Sequence, residues 1–260
     1  MTLLLGALVG LFLGLPVAVL VGRAAAGGAL QVAIGDPAVL DALQLSLITT
    51  AVSLVLTIAI ATPVAHLLAR RRFRGASFVE AIVDLPIVLP PSVAGLALLL
   101  TFGRRGVLGD ELAAFGIAIP FTTVAVILAQ MFVSMPFFIR AARAGFRGVD
   151  RETEDAARVD GAGERQVAWS ITVPLAGTAL ASGVVMTWAR ALGEFGATIM
   201  FAGNIAGKTQ TLPLVVYGQF QSGDLDASVA AAAILVIAAF AVLVAVRGIG
   251  WGRALDLRGA

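Results

Sequence analysis

Long runs of apolar residues dominate the chain, and most charged residues lie in the shorter stretches between them. A helix that crosses a bilayer needs about 20 mostly apolar residues. Runs of that length occupy residues 2–22, 43–68, 81–102, 120–139, 174–201 and 227–246. The pattern predicts an all-α polytopic membrane protein with six transmembrane helices in one domain over residues 1–260. The first run is longer than a signal-peptide core of about 7–15 residues and starts without positive charge, so it is interpreted as a retained span.

The basic residues between the runs predict the orientation of the chain. Cytoplasmic loops of membrane proteins carry an excess of arginine and lysine. If both termini are cytoplasmic, the outer segments hold Arg23, Arg104, Arg105 and Lys208. The inner segments then hold 13 arginines, namely Arg70, Arg71, Arg72, Arg74, Arg140, Arg143, Arg147, Arg151, Arg158, Arg165, Arg247, Arg253 and Arg258. We therefore expect a multi-pass protein of the cell membrane with both termini in the cytoplasm.

The composition argues against several other classes of protein. Charged residues make up 13% of the chain, whereas soluble domains carry about 25%. The chain has no cysteine and a single histidine, His66, so neither disulfides nor a metal site built from thiolates or several histidines is expected. The basic residues cluster between the apolar runs, which favours membrane orientation over nucleic-acid binding. No catalytic residue is predicted.

Residues 203–209, Gly-Asn-Ile-Ala-Gly-Lys-Thr, look like a phosphate-binding loop but do not meet its requirements. The nucleotide-binding pattern has four residues between its glycines, and only three separate Gly203 from Gly207. Such a loop also joins a buried strand to a helix, whereas an apolar span precedes this one. We therefore expect no nucleotide at Lys208, and any ATP that drives this protein would be hydrolysed by another chain.

The cytoplasmic segment 148–173 carries the most specific motif. Asp150 can cap a short helix there, and Gly161 can end it. The tripeptide 155–157, Asp-Ala-Ala, is followed after three residues by Gly161 and after nine more by 171–174, Ile-Thr-Val-Pro. This spacing resembles the E-A-A, G, I-x-L-P motif of permease subunits of bacterial ABC importers, with Asp155 in place of Glu and Val173 in place of Leu. The resemblance implies a type I importer fold and a coupling helix that docks on an ATPase; the implied coupling residues are Glu154, Asp155, Ala156, Ala157 and Gly161.

Two further stretches resemble molybdate and tungstate permeases, and the resemblance covers about residues 40–245. Residues 84–99 look like the third span of that family, and residues 189–217 look like its fifth-span region. The resemblance implies a homodimer with two ATPase subunits on the cytoplasmic side and an external oxyanion-binding protein. It also implies that ATP and magnesium are bound by the ATPase, and that this chain binds no cofactor.

Two alternative functions remain open at this point. Sulfate and thiosulfate permeases are relatives with a similar Gly-Glu-Phe-Gly stretch, so import of those anions is the first alternative. The second is an autonomous secondary anion carrier. A carrier of that kind would need an ion-coupling site among its spans and no docking helix, so the coupling segment argues against it.

Small residues and prolines mark candidates for the anion pathway. Residues 189, 193 and 197 are spaced four apart, which puts them on one face of a continuous helix and lets another helix approach closely. Prolines at positions 86, 90 and 91 remove backbone donors, so a kinked or broken third span is expected. The candidates for pathway or gate are Ala189, Gly193, Ala197, Pro90 and Ser92. Ordinary helix packing is the alternative for each of them.

Arg190 and Glu194 are charges inside the fifth apolar run. Residues at i and i+4 can pair along a helix, and charges within a membrane are usually paired or functional. An unpaired carboxylate on the pathway would repel a dianion. We therefore predict that Arg190 neutralises Glu194 and that the pair is a structural clamp near the gate.

Overall fold

The structure, a computed structural model, describes residues 2–71 and 73–256. Regular structure within these residues is helical, and none of them lies in a strand. The chain divides into two compact units, a terminal unit formed by residues 1–47 with 204–260 and a central unit formed by residues 48–203. Arg72 and Arg258, which entered the charge count, lie outside the described residues.

The helices follow one another with short connections. In chain order they are α1 (Thr2–Ala26), α2 (Ala29–Gly35), α3 (Pro37–Arg70), α4 (Ala76–Val88), α5 (Pro91–Phe102), α6 (Gly109–Ala114), α7 (Thr123–Gly148), α8 (Arg151–Val159), α9 (Glu164–Val167), α10 (Val173–Leu175), α11 (Gly177–Leu192), α12 (Gly196–Phe201), α13 (Leu212–Gln221) and α14 (Leu225–Asp256). A π-helical turn, Ala168–Thr172, connects α9 to α10.

The long apolar helices agree with the predicted number of spans. Among the described residues, α1, α3, α7 and the Leu225–Ala245 part of α14 are each long and apolar enough to cross a membrane. Two bent pairs complete six spans if each pair counts as one. They are α4 with α5, bent by 117°, and Glu164–Leu175 with α11, bent by 75°. The expected break in the third span is confirmed, since α4 ends at Val88 and α5 begins at Pro91.

The fifth apolar run is not the single helix predicted over residues 174–201. Helix α11 ends at Leu192, and α12 begins at Gly196. Glycines at 193 and 196 weaken a helix at these points. The Glu194 carboxylate also accepts a hydrogen bond from the backbone N–H of Ala197 at 2.7 Å, which satisfies a donor at the start of α12. The helix is therefore interrupted in the middle of this run.

Close packing of α7 against α11 forms the core of the central unit. A Cβ atom added to Gly183 on α11 would lie 2.9 Å from the Cβ of Ala141 on α7. Phe138 and Phe146, on the same helix α7, are at most 1% exposed. Small residues at the crossing let the two helices approach closely, as is common in membrane helix bundles.

The terminal unit has its own small core beside a largely exposed helix. Leu212 of α13 and Ala230 of α14 are fully buried in it, and Ala42 of α3 is 2% exposed. The Ser46 hydroxyl accepts a hydrogen bond from the Leu212 N–H at 2.8 Å. Almost every side chain of α1 is exposed, an apolar surface of the kind that faces lipid or another chain.

Candidate functional site

The cytoplasmic segment contains a short helix with defined ends, as predicted. Helix α8 follows Asp150, whose carboxylate accepts a hydrogen bond from the Glu152 N–H at 3.0 Å. The segment turns at Gly161, whose φ of +93° is a left-handed conformation that favours glycine. Asp155, Ala156 and Gly161 are exposed and Ala157 is half-buried. Four of the five implied coupling residues are therefore wholly or partly accessible.

Glu154, the fifth of them, points into the central unit and is 3% exposed. Its Oε1 lies 2.5 Å from an Nη of Arg70 at the end of α3, and the Thr172 hydroxyl donates to the same oxygen at 2.6 Å. Arg70 also donates to the Val149 carbonyl at 3.2 Å. The buried carboxylate of Glu154 is therefore bonded within this chain and positions α8, and a role of Glu154 in ATPase coupling stays a prediction.

Asp155 belongs to a small surface network beside Glu154. Its carboxylate is 2.6 Å from an Nη of Arg158, and the same guanidinium donates from its Nε to Glu164 at 2.8 Å. The hydrogen bonds to Glu164 and Asp155 raise the pKa of Arg158, which keeps the guanidinium charged. The side chain of Asp155 is nevertheless 70% exposed, so a partner protein can reach it.

Val159 is a neighbouring feature that sequence reasoning missed. It is 87% exposed on an otherwise polar helix. Residues at i+3 and i+4 share a face of a helix, so Val159 lies beside Ala156 and Asp155. These three residues form what we call the docking face of α8, which combines one carboxylate with small and apolar side chains. The signal in the sequence was a valine directly before Asp160 and the helix-ending Gly161.

A second candidate site lies where the broken third and fifth runs cross. We call it the break region, residues 89–95 with 193–197. A Cβ added to Gly95 would lie 2.6 Å from the Ala197 carbonyl oxygen, and one added to Gly196 would lie 2.8 Å from the Cβ of Pro91. The two backbones therefore touch. Sequence reasoning missed Gly95, because a lone glycine in an apolar run does not indicate which helix approaches it.

The break region contains most of the predicted pathway residues. Ala197 is fully buried against α5, and its assignment to the pathway stays a prediction. The shared helix face predicted for residues 189, 193 and 197 is also wrong, because α11 ends before Gly193. Ala189, Gly193, Pro90 and Ser92 are all exposed, and their assignment to the pathway stays a prediction.

Arg190, near the end of α11, meets Glu194 at the edge of this region. An Nη of Arg190 lies 2.7 Å from Oε2 of Glu194, which is 1% exposed. Oε2 accepts no hydrogen bond of good geometry. The contact is therefore an ion pair in which the N–H groups of Arg190 do not point at Oε2. The other carboxylate oxygen binds the Ala197 N–H. The two side chains thus stabilise the break between α11 and α12, and a role at a gate stays a prediction.

The loop at 203–209 lacks the surroundings of a phosphate-binding loop. It follows helix α12 and leads to α13. The buried hydroxyl of Thr209 accepts a hydrogen bond from the Ile205 N–H at 3.0 Å, which closes the loop on itself. Among the described residues, no group of three or more histidine, aspartate or glutamate side chains is placed to hold a metal ion.

Relatives of the chain are transport permeases. It is 44% identical over 213 residues to the molybdenum transport system permease protein ModB of Mycobacterium tuberculosis, covering 82% of this chain and 80% of that protein. It is 43% identical over 204 residues to a probable transport system permease protein, NifC, of Clostridium pasteurianum, covering 78% and 71%. It is 36% identical over 212 residues to the sulfate transport system permease protein CysW of a Synechocystis species, covering 82% and 77%.

A solved structure shares the fold. The bacterial alginate ABC transporter, crystallised in complex with an alginate pentasaccharide-bound periplasmic protein, matches with a TM-score of 0.75 over 94% of this chain and 91% of the matched chain, at 16% identity. The fold is thus that of type I ABC importer permeases, which are multi-pass proteins of the inner membrane. Residues 61–249 match the family described as binding-protein-dependent transport system inner membrane components, and the chain belongs to that family.

Proposed function

We propose that this chain is the membrane permease subunit of an ATP-driven importer of molybdate or tungstate. The observation that carries the substrate class is the similarity to molybdenum permeases, which exceeds the similarity to the sulfate permease. A tetrahedral oxyanion with about two negative charges cannot cross hydrocarbon unaided. Two copies of the chain would therefore form a polar route that opens to one side of the membrane at a time.

The partners of this importer follow from the same proposal. Two ATPase subunits would bind the docking faces of the two copies, and they would hold the ATP and magnesium. An external binding protein would deliver the anion, as the family description and the periplasmic protein bound to the alginate transporter suggest. This chain itself would bind no cofactor and catalyse no reaction.

The geometry of α8 supports force transfer from the ATPase to the spans. The docking face is exposed, whereas Glu154 on the opposite side of α8 binds Arg70 and Thr172. Arg70 ends α3, and Thr172 lies in the π turn that leads toward α11. A displacement of α8 would therefore reach two membrane helices through one buried carboxylate.

The proposal is tested by reconstituting the chain in liposomes with its ATPase and binding protein. We expect molybdate and tungstate to stimulate ATP hydrolysis and uptake, and sulfate to do so at much higher concentration. Omission of the binding protein is the control. Stronger stimulation by sulfate would favour the second candidate, a sulfate permease, which the similarity to the Synechocystis protein supports. Uptake without the ATPase would contradict both.

A further inference from the structure

An open groove of about 730 Å³ lies in the central unit, beside α8 and away from the break region. Its walls come from the second half of α3, from α7, from α8, and from the segment that runs from α9 into α11. We call it the inner groove, because its charged end is formed by segments that carry the cytoplasmic arginines. Of the docking face only Asp155 lines the groove, and none of the candidate pathway residues does.

The charged end of the inner groove has an excess of positive charge. It contains five arginines against three carboxylates, a net charge of +2; the residues are Arg70, Arg71, Arg151, Arg158, Arg165, Glu154, Asp155 and Glu164. Arg70 and Arg158 contact all three carboxylates. Arg71, Arg151 and Arg165 are exposed, and none of them forms a direct ion pair with another residue that the structure describes. Three guanidinium groups are therefore available to an anion.

The rest of the inner groove is mostly apolar, apart from Thr62 and His66, and runs along the membrane-spanning part of α3. Arg70 and Ile58 both line it, and twelve residues of helix separate them by about 18 Å. That distance matches half of a hydrocarbon core of about 30 Å. Leu67, Leu180 and Val184 line the stretch between the charged end and the membrane interior. A linear apolar chain attached to an anionic group fits this arrangement.

Trp169 marks the level at which the groove passes from polar to apolar. Its side chain lines the groove, lies in the π turn and is 59% exposed. Tryptophan is enriched where membrane proteins meet the lipid headgroups. Arg165 and Val173 lie four residues before and four residues after Trp169, and both line the groove. The charged Arg165 is toward the cytoplasm, and the apolar Val173 is toward the membrane.

We propose that the inner groove binds one anionic phospholipid of the cytoplasmic leaflet. Arg71, Arg151 and Arg165 would bind the headgroup phosphate, because guanidinium groups recognise phosphate oxygens through paired N–H donors. An acyl chain would lie along the apolar wall between Leu67 and Ile58. Basic pockets between membrane helices on the cytoplasmic side are a recurring form of lipid site. A free inorganic anion would leave the apolar wall empty, and a helix of a second copy would leave the arginines unpaired.

A phospholipid bound in the inner groove would stabilise the position of the coupling segment. Arg71 directly follows α3, Arg151 starts α8, and Arg165 lies in α9. One headgroup would therefore bridge the segments that Glu154 also joins through Arg70 and Thr172. The site depends on the membrane composition and not on the transported anion, so it goes beyond the proposed import function.

Trp169 allows a direct binding test that does not require transport. The chain has three tryptophans, and replacing Trp188 and Trp251 by phenylalanine leaves Trp169 as the sole fluorophore. The full chain is placed in phosphatidylcholine vesicles that contain rising fractions of brominated phosphatidylglycerol or, separately, brominated phosphatidylcholine. We expect the brominated anionic lipid to quench Trp169 at a mole fraction at least about tenfold lower, since each nearby arginine contributes about fivefold to the affinity for anionic lipid.

The variant Arg71→Gln with Arg165→Gln should remove this preference for the anionic lipid. Arg74→Gln is the matched control, because Arg74 lies in the same connection between α3 and α4 as Arg71. It is also exposed and does not line the groove. It should keep the preference within about twofold. Both altered arginines are exposed, so folding should be unaffected.

Several outcomes would overturn the proposal. Equal quenching by the two brominated lipids would show that the headgroup charge is not recognised. Absence of quenching by either lipid would show that another chain covers the groove, and crosslinking of two copies through Leu180→Cys would identify a second copy there. Relief of the quenching by inorganic phosphate in the millimolar range would assign the arginines to a free anion.

Discussion

Glu154 and Glu194 are both almost fully buried beside an arginine, but their partners lie at different distances along the chain. Glu154 binds Arg70, which is 84 residues away, and Thr172, which is 18 residues away. Glu194 binds Arg190 and the backbone N–H of Ala197, both within about one helical turn. One carboxylate therefore joins separate helices of the central unit, and the other stabilises the break between two consecutive helices.

This difference predicts how each site fails when it is altered. Apart from a longer contact of 3.9 Å with Arg158 on the same helix, the contacts of Glu154 exist only after α3, α8 and the π turn have come together, so they stabilise tertiary structure. The contacts of Glu194 involve residues three and four positions away, so they stabilise local geometry. Other contacts also stabilise the break region, in particular the close crossing of α5 and α12 at Gly95.

The largest expected effect is that of Glu154→Gln. It leaves Arg70, whose side chain is 11% exposed, without its carboxylate, and breaking a buried pair in this way costs about 3–5 kcal/mol. We expect a lower unfolding temperature of the purified chain and loss of the ATPase during co-purification. Glu152→Gln, at an exposed position on the same helix, is the control and should behave like the parent. Equal behaviour of the two variants would show that Glu154 does not hold α8.

Gly95→Ala alters the break region that contains Glu194, and it should have the next largest effect on stability. The new Cβ would lie 2.6 Å from the carbonyl oxygen and 2.8 Å from the Cα of Ala197. Backbone atoms cannot move aside as a flexible side chain can, and overpacking of this kind costs about 1–3 kcal/mol. The cost would appear as a lower midpoint of unfolding in a denaturing detergent.

Gly177→Ala provides the matched control for the Gly95 variant. Gly177 also lies in a helix of the central unit, and an added Cβ there meets no atom within 4 Å. This change should be neutral or slightly stabilising, because alanine favours a helix over glycine. If both variants unfold alike, the break region is not held by close backbone contact.

The Arg190–Glu194 pair should contribute less than the Arg70–Glu154 pair. The Arg190 side chain is 28% exposed, so solvent screens part of the interaction. A double-mutant cycle with Arg190→Gln and Glu194→Gln should give a coupling free energy of about 1–2 kcal/mol. The same cycle on Arg70 and Glu154 should give a larger value. The reverse order would contradict the distinction between a tertiary and a local role.

The spans and the broken third run were predictable because their signals are local. Apolar length predicts spans, and prolines at 90 and 91 remove the donors that a continuous helix needs. The break in the fifth run was missed, because the small residues at 193 and 196 also fit a closely packed helix. The Glu194 carboxylate caps the start of α12, which favours an interrupted helix over a continuous one. This cap depends on where the folded chain places the Glu194 side chain.

Which glutamate of the coupling segment is buried could not be predicted from the motif. Alignment to the motif selected Asp155 as its acidic residue and treated Glu154 as its neighbour on the same surface. Burial of Glu154 depends on Arg70, which precedes it by 84 residues. A pattern of neighbouring residues in the sequence does not predict a contact over that distance. The same reason explains why Gly95 was missed, since its close neighbour Ala197 is distant in sequence.

The smallest expected effect on stability, and the sharpest on function, is that of Asp155→Lys. Its side chain is 70% exposed and pairs at the surface with Arg158, so the free energy of unfolding should change by about 0.5 kcal/mol or less. The docking face would nevertheless present a cation where a carboxylate is expected to meet the ATPase, and like charges at a desolvated contact can cost several kcal/mol.

We therefore expect the Asp155→Lys chain to insert and dimerise normally but to lose the ATPase, or to hydrolyse ATP without transport. Asp155→Glu keeps the charge and matches the acidic residue of the motif, so it should transport at close to the parental rate. Uptake of molybdate by proteoliposomes measures both variants. Parental uptake by Asp155→Lys would remove Asp155 from the docking face. Loss of stability comparable to that of Glu154→Gln would show that the two adjacent carboxylates share one structural role, because an exposed surface pair cannot produce so large an effect.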